Sequence, residues 1–292
     1  MLFSQNDQSF YKKKSTINLG GRLIDLSSPV VMGIINATPD SFYDGGFYST
    51  DLEIINRASR ILEEGGRFID IGAMSTRPGA REISLKEELN RLLPVVKTIR
   101  QAFPDASLSV DTYRSEVVQL VYDQIGDFIV NDISGGTFDG QMFAKVAALK
   151  LPYVMMHTPE KSDKMQKAPV YNDVIKDLML FLSAQVQKLR QQGVADIIID
   201  PGFGFGKTSL HNYELLNRLD AFKIFELPLL VGLSRKAMIW KELDITPGES
   251  LNGTTVLNTM ALCGGCDILR VHDVREAVET IKLVGKIKSS VK

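Results

Sequence analysis

Short apolar runs that end in a polar residue recur along this chain: VVMGIINA from Val30, RFIDIGA from Arg67, LSVDT from Leu108, FIVNDIS from Phe128, LPYVMMH from Leu151, DIIIDPG from Asp196, LPLLVGLS from Leu227 and DILRVH from Asp267. Each is apolar on both faces, as expected of parallel strands covered by helices; a half-exposed antiparallel strand would alternate polar and apolar residues. Between the runs, apolar residues at helical spacing predict helices over Asp51 to Glu64, Leu85 to Ala102, Arg114 to Asp123, Gly140 to Leu149, Val170 to Gln192, Asn212 to Ala221, Ser250 to Cys263 and Val274 to Ile287. Eight strand–helix pairs predict an α/β chain folded as a single (β/α)8 TIM barrel, and the units span roughly the 250 residues usual for that fold. A doubly wound open sheet would also bury parallel strands, but it would gather its polar strand ends at one topological switch point, whereas here early and late strands alike end in polar groups. Ser15 to Leu26 reads as a β-hairpin turned at Gly20-Gly21 that could plug the lower end of the barrel. Residues 1 to 14 are expected to be a flexible leader, and residues 15 to 292 one barrel domain.

Composition fits that picture. With 292 residues, 44% hydrophobic and 24% charged, the chain can build one large core, and a net charge of −1 provides no field for nucleic acid or an acidic membrane. Lys12 to Lys14 read as a solvated tail. No apolar run reaches transmembrane length and MLFSQNDQSF lacks the apolar stretch of a secretory signal, so a cytoplasmic location is expected, without nucleic acid or membrane as partner.

Three apparent motifs fail on inspection. Cys263 and Cys266 form a CxxC with no second pair, which favours two small buried thiols over a redox or zinc site. His157, His211 and His272 have no metal-ligand spacing. PGFGFGKTS, from Pro201, imitates a phosphate loop, but Pro201 stands where the first glycine belongs, and Lys207 stands where a dinucleotide fingerprint needs its last glycine.

What remains is a set of polar groups at strand ends: Asn36, Asp70, Asp111, Asn131, Asp132, His157, Asp200, Ser234, Arg270 and His272. Rigid barrel strands aim such side chains into a common mouth, and several buried carboxylates there must pair with each other or with a ligand. About a third are expected to be supports rather than ligands, Asp70 foremost, because Ile69 and Ile71 flank it. Cations gather late, with Lys236 after strand seven and Arg270 beside His272 at strand eight, where barrels commonly bind phosphate. The pattern suggests a ligand with a polar heterocycle at one end and a phosphate group at the other.

Eight segments in order, MGIINATPDSFYDGG, STRPGA from Ser75, SVDT from Ser109, VNDISGG from Val130, DPGFGFGKT from Asp200, GLSRKAM from Gly232, NGTTVLNTMAL from Asn252 and RVHDV from Arg270, make the chain resemble the dihydropteroate synthases of folate biosynthesis from about Ile17 to Lys288. The resemblance implies a transferase that condenses 6-hydroxymethyl-7,8-dihydropterin diphosphate with 4-aminobenzoate and releases diphosphate. It implies a pterin pocket of Asp111, Asn131, Asp200 and Lys236, a diphosphate site of Asn36, Thr76, Arg77, Arg270 and His272, and Mg2+ held by Asn36. For 4-aminobenzoate it implies a slot between Phe42, Pro78, Phe205 and the stem of Lys236, with the carboxylate at Ser234. Asp111, Asp200, Lys236 and Arg270 are the expected catalytic group. The resemblance further implies sulfonamide competition and a homodimer through the last helices. The loops Ala37 to Thr50 and Ser75 to Ser84 are expected to close over the reacting carbon. A pterin-binding methyltransferase, moving methyl from a reduced folate to a corrinoid, is the alternative that shares the pterin pocket but has no use for STRPGA, Ser234-Arg235-Lys236 or Arg270-Val271-His272; a non-catalytic paralogue is a further one. Two departures stand out: Met74 where an acidic residue commonly precedes STRPGA, and an altered loop from His157 to Gln166.

Overall fold

In the computed structural model, which describes residues 14–37, 51–74, 80–159 and 170–290, a two-stranded hairpin precedes eight parallel strands. The hairpin strands β1 (Thr16–Leu19) and β2 (Arg22–Asp25) meet at Gly20 and Gly21, whose φ angles of 59° and 81° are those of the tight turn expected between antiparallel strands.

The barrel strands and helices alternate except that two helices follow the seventh barrel strand: β3 (Val30–Asn36), α1 (Asp51–Glu63), β4 (Phe68–Gly72), α2 (Leu85–Ala102), β5 (Ser107–Asp111), α3 (Ser115–Ile125), β6 (Ile129–Asp132), α4 (Met142–Leu149), β7 (Tyr153–Met156), α5 (Val174–Gln191), β8 (Ile197–Asp200), α6 (Ser209–Asn217), β9 (Leu230–Val231), α7 (Ala237–Trp240), α8 (Leu251–Gly264), β10 (Ile268–Val271) and α9 (Val274–Ser290). Hydrogen-bonded strands run in the order β8-β7-β6-β5-β4-β3-β10-β9. A parallel bridge between Ile199 and Leu229, with the Ile199 N–H donating to the Pro228 carbonyl at 2.9 Å, joins the two ends and closes the barrel.

Two apolar layers hold it. Ile17, Leu19, Ile24 and Leu26 of the hairpin pack on Met32, Phe68, Ile129, Val154, Ile198, Leu230 and Ile268 inside the barrel, so the hairpin is the plug that its pattern predicted. The opposite face of each strand packs on the helices; α1, for example, turns Ile54, Ala58 and Ile61 inward at spacings of four and three.

Element ends differ from the sequence reading where a cap or a proline decides them. Asp173 accepts from the Lys176 N–H and starts α5 at Val174, and Thr208 with His211 forms a capping box that starts α6 at Ser209, earlier than expected. Strand β9 has only two residues, because Pro228 has no N–H to donate and the Leu229 N–H is taken by the Asp267 carboxylate at 2.7 Å. The short α7 has no counterpart in the periodicity reading. The expected leader lies, but for Lys14, outside the described residues.

Candidate active site

Strand register carries the polar groups to one mouth. Asp70 lies opposite Ser109, and Asp111 opposite Asn131, on three adjacent strands; with a period of two, Ser109 and Asp111 share the inward face. Asp70, fully buried, accepts from Ser109 Oγ at 2.6 Å and from Asn131 Nδ2 at 3.2 Å. Arg270, from β10 across the barrel, donates through Nε to Asp70 at 2.6 Å and through Nη2 to Asp111 at 2.9 Å. Asp70 is therefore the expected support: it orients Arg270 and Asn131. Ser109 belongs to the same network and was missed, although its place two residues before Asp111 was the signal.

Burial raises the Asp111 carboxyl to about 7 against the opposing pull of Arg270, with Asp70 adding to the rise. Burial opposes the charge on Arg270, but Asp70 and Asp111 outweigh it and hold the guanidinium protonated. Asp200, at the end of β8, accepts from the Gly202 N–H at 2.7 Å, and burial raises its pKa as well.

Facing these acids, Lys236 donates to the Phe203 carbonyl and sits 4.4 Å above the Phe205 ring. Burial lowers its pKa to about 8, with Asp200 resisting the fall. Phe205 also joins Tyr113, Ile133, Met156, Met74 and Phe138 in an apolar cluster that lines one side of the mouth. Acids and Lys236 thus meet beside a dry wall, where a flat heterocycle with several donors can be read by hydrogen bonds.

On the other side, Asn36 and His272 border a cavity of about 350 Å³ that Arg57 and Arg235 also line. Ser234 Oγ accepts from the His272 N–H at 3.2 Å, tying the loop after β9 to the end of β10. Burial and the neighbouring Arg270 and Arg235 lower the His272 imidazole to about 4, so it is neutral near pH 7. Arg57, which sequence pattern gave no reason to single out, donates to the His272 carbonyl at 2.7 Å and the Ile34 carbonyl at 3.3 Å, bracing β3 against β10 behind Asn36. Arg235 is engaged bidentately by Asp273 at 2.6 and 3.1 Å. Among the described residues, no group of three His, Cys, Asp or Glu side chains could hold a metal ion.

Two of the strand-end groups are structural. Asp132 accepts from Tyr153 Oη at 2.6 Å and from the Ser134 and Gly136 N–H groups, which shapes the turn after β6. His157 turns Nδ1 to Lys207 Nζ at 3.2 Å and packs edge-on against Phe181. Cys266 is buried and Cys263 partly so, both as free thiols. At Met74, Arg114 lies 3.8 Å from the sulfur and pairs with Glu88 at 2.5 Å and Glu82 at 3.3 Å, so two other carboxylates meet the cation near the missing acid. Phe42, Thr76, Arg77 and Pro78, much of the two expected closing loops, and residues 160–166 of the altered loop lie outside the described residues.

Fold and mouth together define a barrel enzyme for a polar heterocycle bearing an anion, and the family model described as pterin binding enzyme matches residues 32–272. The dihydropteroate synthase of Escherichia coli strain K12 is 43% identical over 266 residues, covering 90% of this chain and 93% of that protein. The structure of Yersinia pestis dihydropteroate synthase in a sulfonamide drug complex superposes with a TM-score of 0.88 at 40% identity, covering 94% of this chain and 99% of that one. That of Xanthomonas albilineans dihydropteroate synthase with 4-aminobenzoic acid gives 0.87 at 34% identity, covering 94% and 98%. The chain belongs to the dihydropteroate synthase family of pterin-binding transferases in folate biosynthesis.

Proposed function

We propose that the chain joins 6-hydroxymethyl-7,8-dihydropterin diphosphate to 4-aminobenzoate through a pterin cation, using the residues gathered at this mouth. The observation that carries the reading is the convergence of Arg270 with Asp111 and Asp70, while Lys236 stands among the same charges. Asp200 accepts from the amino-pyrimidine edge of the ring, Asn131 is fixed by Asp70 for a further contact, and Lys236 donates to the ring carbonyl and nitrogen. A ring that left any of these buried groups unpaired would be rejected.

Asp111 faces the part of the ring that gains positive charge as the carbon–oxygen bond to diphosphate breaks. Arg270 and neutral His272 donate to the departing anion, which stabilises charge where it develops. Thr76 and Arg77 are assigned to the same anion by the resemblance. The amine of 4-aminobenzoate attacks last; an aromatic amine is unprotonated at neutral pH and needs no dedicated base. Its ring lies against Phe205 and the Lys236 stem, with Phe42 and Pro78 assigned by resemblance, and its carboxylate is at Ser234, whose hydroxyl proton is not used in the bond with the His272 N–H.

The half-buried Asn36 amide at the mouth of the cavity suits Mg2+ only as a single protein ligand, which agrees with an ion that keeps most of its water and takes oxygens from phosphate. When bound, Mg2+ supplies positive charge to the diphosphate. Exposed Val256 and Met260 on α8 and Leu283 and Ile287 on α9 support a homodimer through the last helices. A cytoplasmic location completes the reading.

The decisive assay mixes dihydropterin diphosphate, 4-aminobenzoate and Mg2+ and measures dihydropteroate by mass. Product that disappears when Mg2+ is chelated is expected; pterin binding without product would favour a non-catalytic paralogue.

Acid–base behaviour gives a second test. The enzyme form with Asp111 ionised and Lys236 protonated gains population as pH rises through about 7 and loses it as pH rises through about 8. A narrow bell in kcat/KM for the pterin substrate is expected, and Asp111→Asn should remove its acidic limb. A flat profile from pH 6 to 9 would detach both groups from the chemistry.

A further inference from the structure

The loop between β8 and α6 holds a buried cation that the mechanism above does not use. Lys207 Nζ donates to the carbonyls of Gly202 at 2.9 Å, Phe205 at 3.1 Å and His157 at 3.4 Å, and meets His157 Nδ1 at 3.2 Å. One ammonium therefore gathers two carbonyls of its own loop and ties them to the end of β7. The Gly202 backbone, at a φ of 74°, approaches the His157 carbonyl so closely that a Cβ would lie 2.2 Å from it. On the outer side the Gly204 N–H donates to Asn212 Oδ1 at 2.8 Å, and Tyr171 Oη donates to the Gly206 carbonyl at 3.0 Å. The same few residues supply the Phe203 carbonyl that accepts from Lys236 and the Phe205 ring beneath its ammonium.

We infer that Lys207 is a positioning residue for the reaction: its ammonium clamps the loop from Gly202 to Phe205 so that the Phe205 ring stands where 4-aminobenzoate must lie. The inference rests on the assignment of Phe205 to that substrate. Burial lowers the Lys207 pKa to about 7, and Asp200 resists the fall; His157, lowered to about 3 chiefly by burial, remains neutral and presents an acceptor. An apolar methionine would fill most of the space but leave the Phe205 and His157 carbonyls without the ammonium and the Gly202 carbonyl with only the Phe205 N–H at 3.2 Å, and a buried carbonyl that loses its donor pulls the loop toward water.

Steady-state kinetics of Lys207→Met, Lys207→Gln, Phe205→Ala and the double variant Lys207→Met/Phe205→Ala test it, with thermal melting of each. Lys207→Met is expected to raise KM for 4-aminobenzoate about tenfold while kcat changes less than about threefold, and Lys207→Gln, which keeps two donors, should recover part of the loss. The double variant should have a KM for 4-aminobenzoate no higher than Phe205→Ala alone, because both act through one ring. If Phe205→Ala leaves that KM unchanged, the substrate assignment falls and the inference falls with it. If Phe205→Ala raises KM but Lys207→Met does not, or if the two effects multiply, the clamp is refuted while the assignment stands. Unfolding of both Lys207 variants would also overturn it and make Lys207 a group of the core.

Discussion

Arg270→Ala should lower turnover roughly a hundredfold to a thousandfold, the loss typical when a group that stabilises developing charge is removed. It should also destabilise the fold. Arg270 is bonded to Asp70, whose side chain is 0% exposed, as well as to Asp111. Removing one partner of a buried ion pair leaves uncompensated charge and costs about 3–5 kcal/mol. The stability deficit should shrink as pH falls from about 8 to about 5, because the Asp111 carboxyl, already raised to about 7 by burial, takes up a proton and no longer needs the cation. Denaturant unfolding across that range, beside steady-state kinetics, checks both statements. Unchanged turnover in a destabilised variant would confine Arg270 to a structural role.

Asp200→Asn separates function from stability in the opposite direction. Here kcat/KM for the pterin substrate should fall roughly a hundredfold or more, since an amide turns a donor toward ring donors where the carboxylate accepted. Thermal stability should be unchanged or higher. Burial raises the Asp200 pKa, so its ionised form is disfavoured in the fold; the wild-type contribution is best in acid and declines as pH rises above the ordinary carboxylate range. Asparagine does not titrate, so its advantage should grow with pH. A melting temperature that falls at neutral pH, with pterin affinity intact, would place Asp200 among the supports.

These two variants differ because of their surroundings. Among the described residues Arg270 bonds two carboxylates inside the barrel, whereas Asp200 accepts from the Gly202 N–H and feels Lys236, Arg270 and Lys207 through space. The same contrast explains Asp70 and Asp132, buried acids whose oxygens are occupied by protein donors.

By itself the amino-acid sequence determined the barrel, the hairpin plug and the location of the polar groups at strand ends, because strand burial and tight turns are local patterns with fixed periods. The repeated motif order also carried the family. Which polar groups touch was decided by the tertiary structure alone: Arg270 lies 200 residues from Asp70 in the chain, and only closure of β10 onto β3 brings the two within 2.6 Å. Lys207 shows the same limit. In the sequence it is the lysine of a failed phosphate loop; in the fold, the end of β7 and the turn after β8 converge on it, since hydrogen bonds across a barrel depend on register and closure rather than on neighbouring residues.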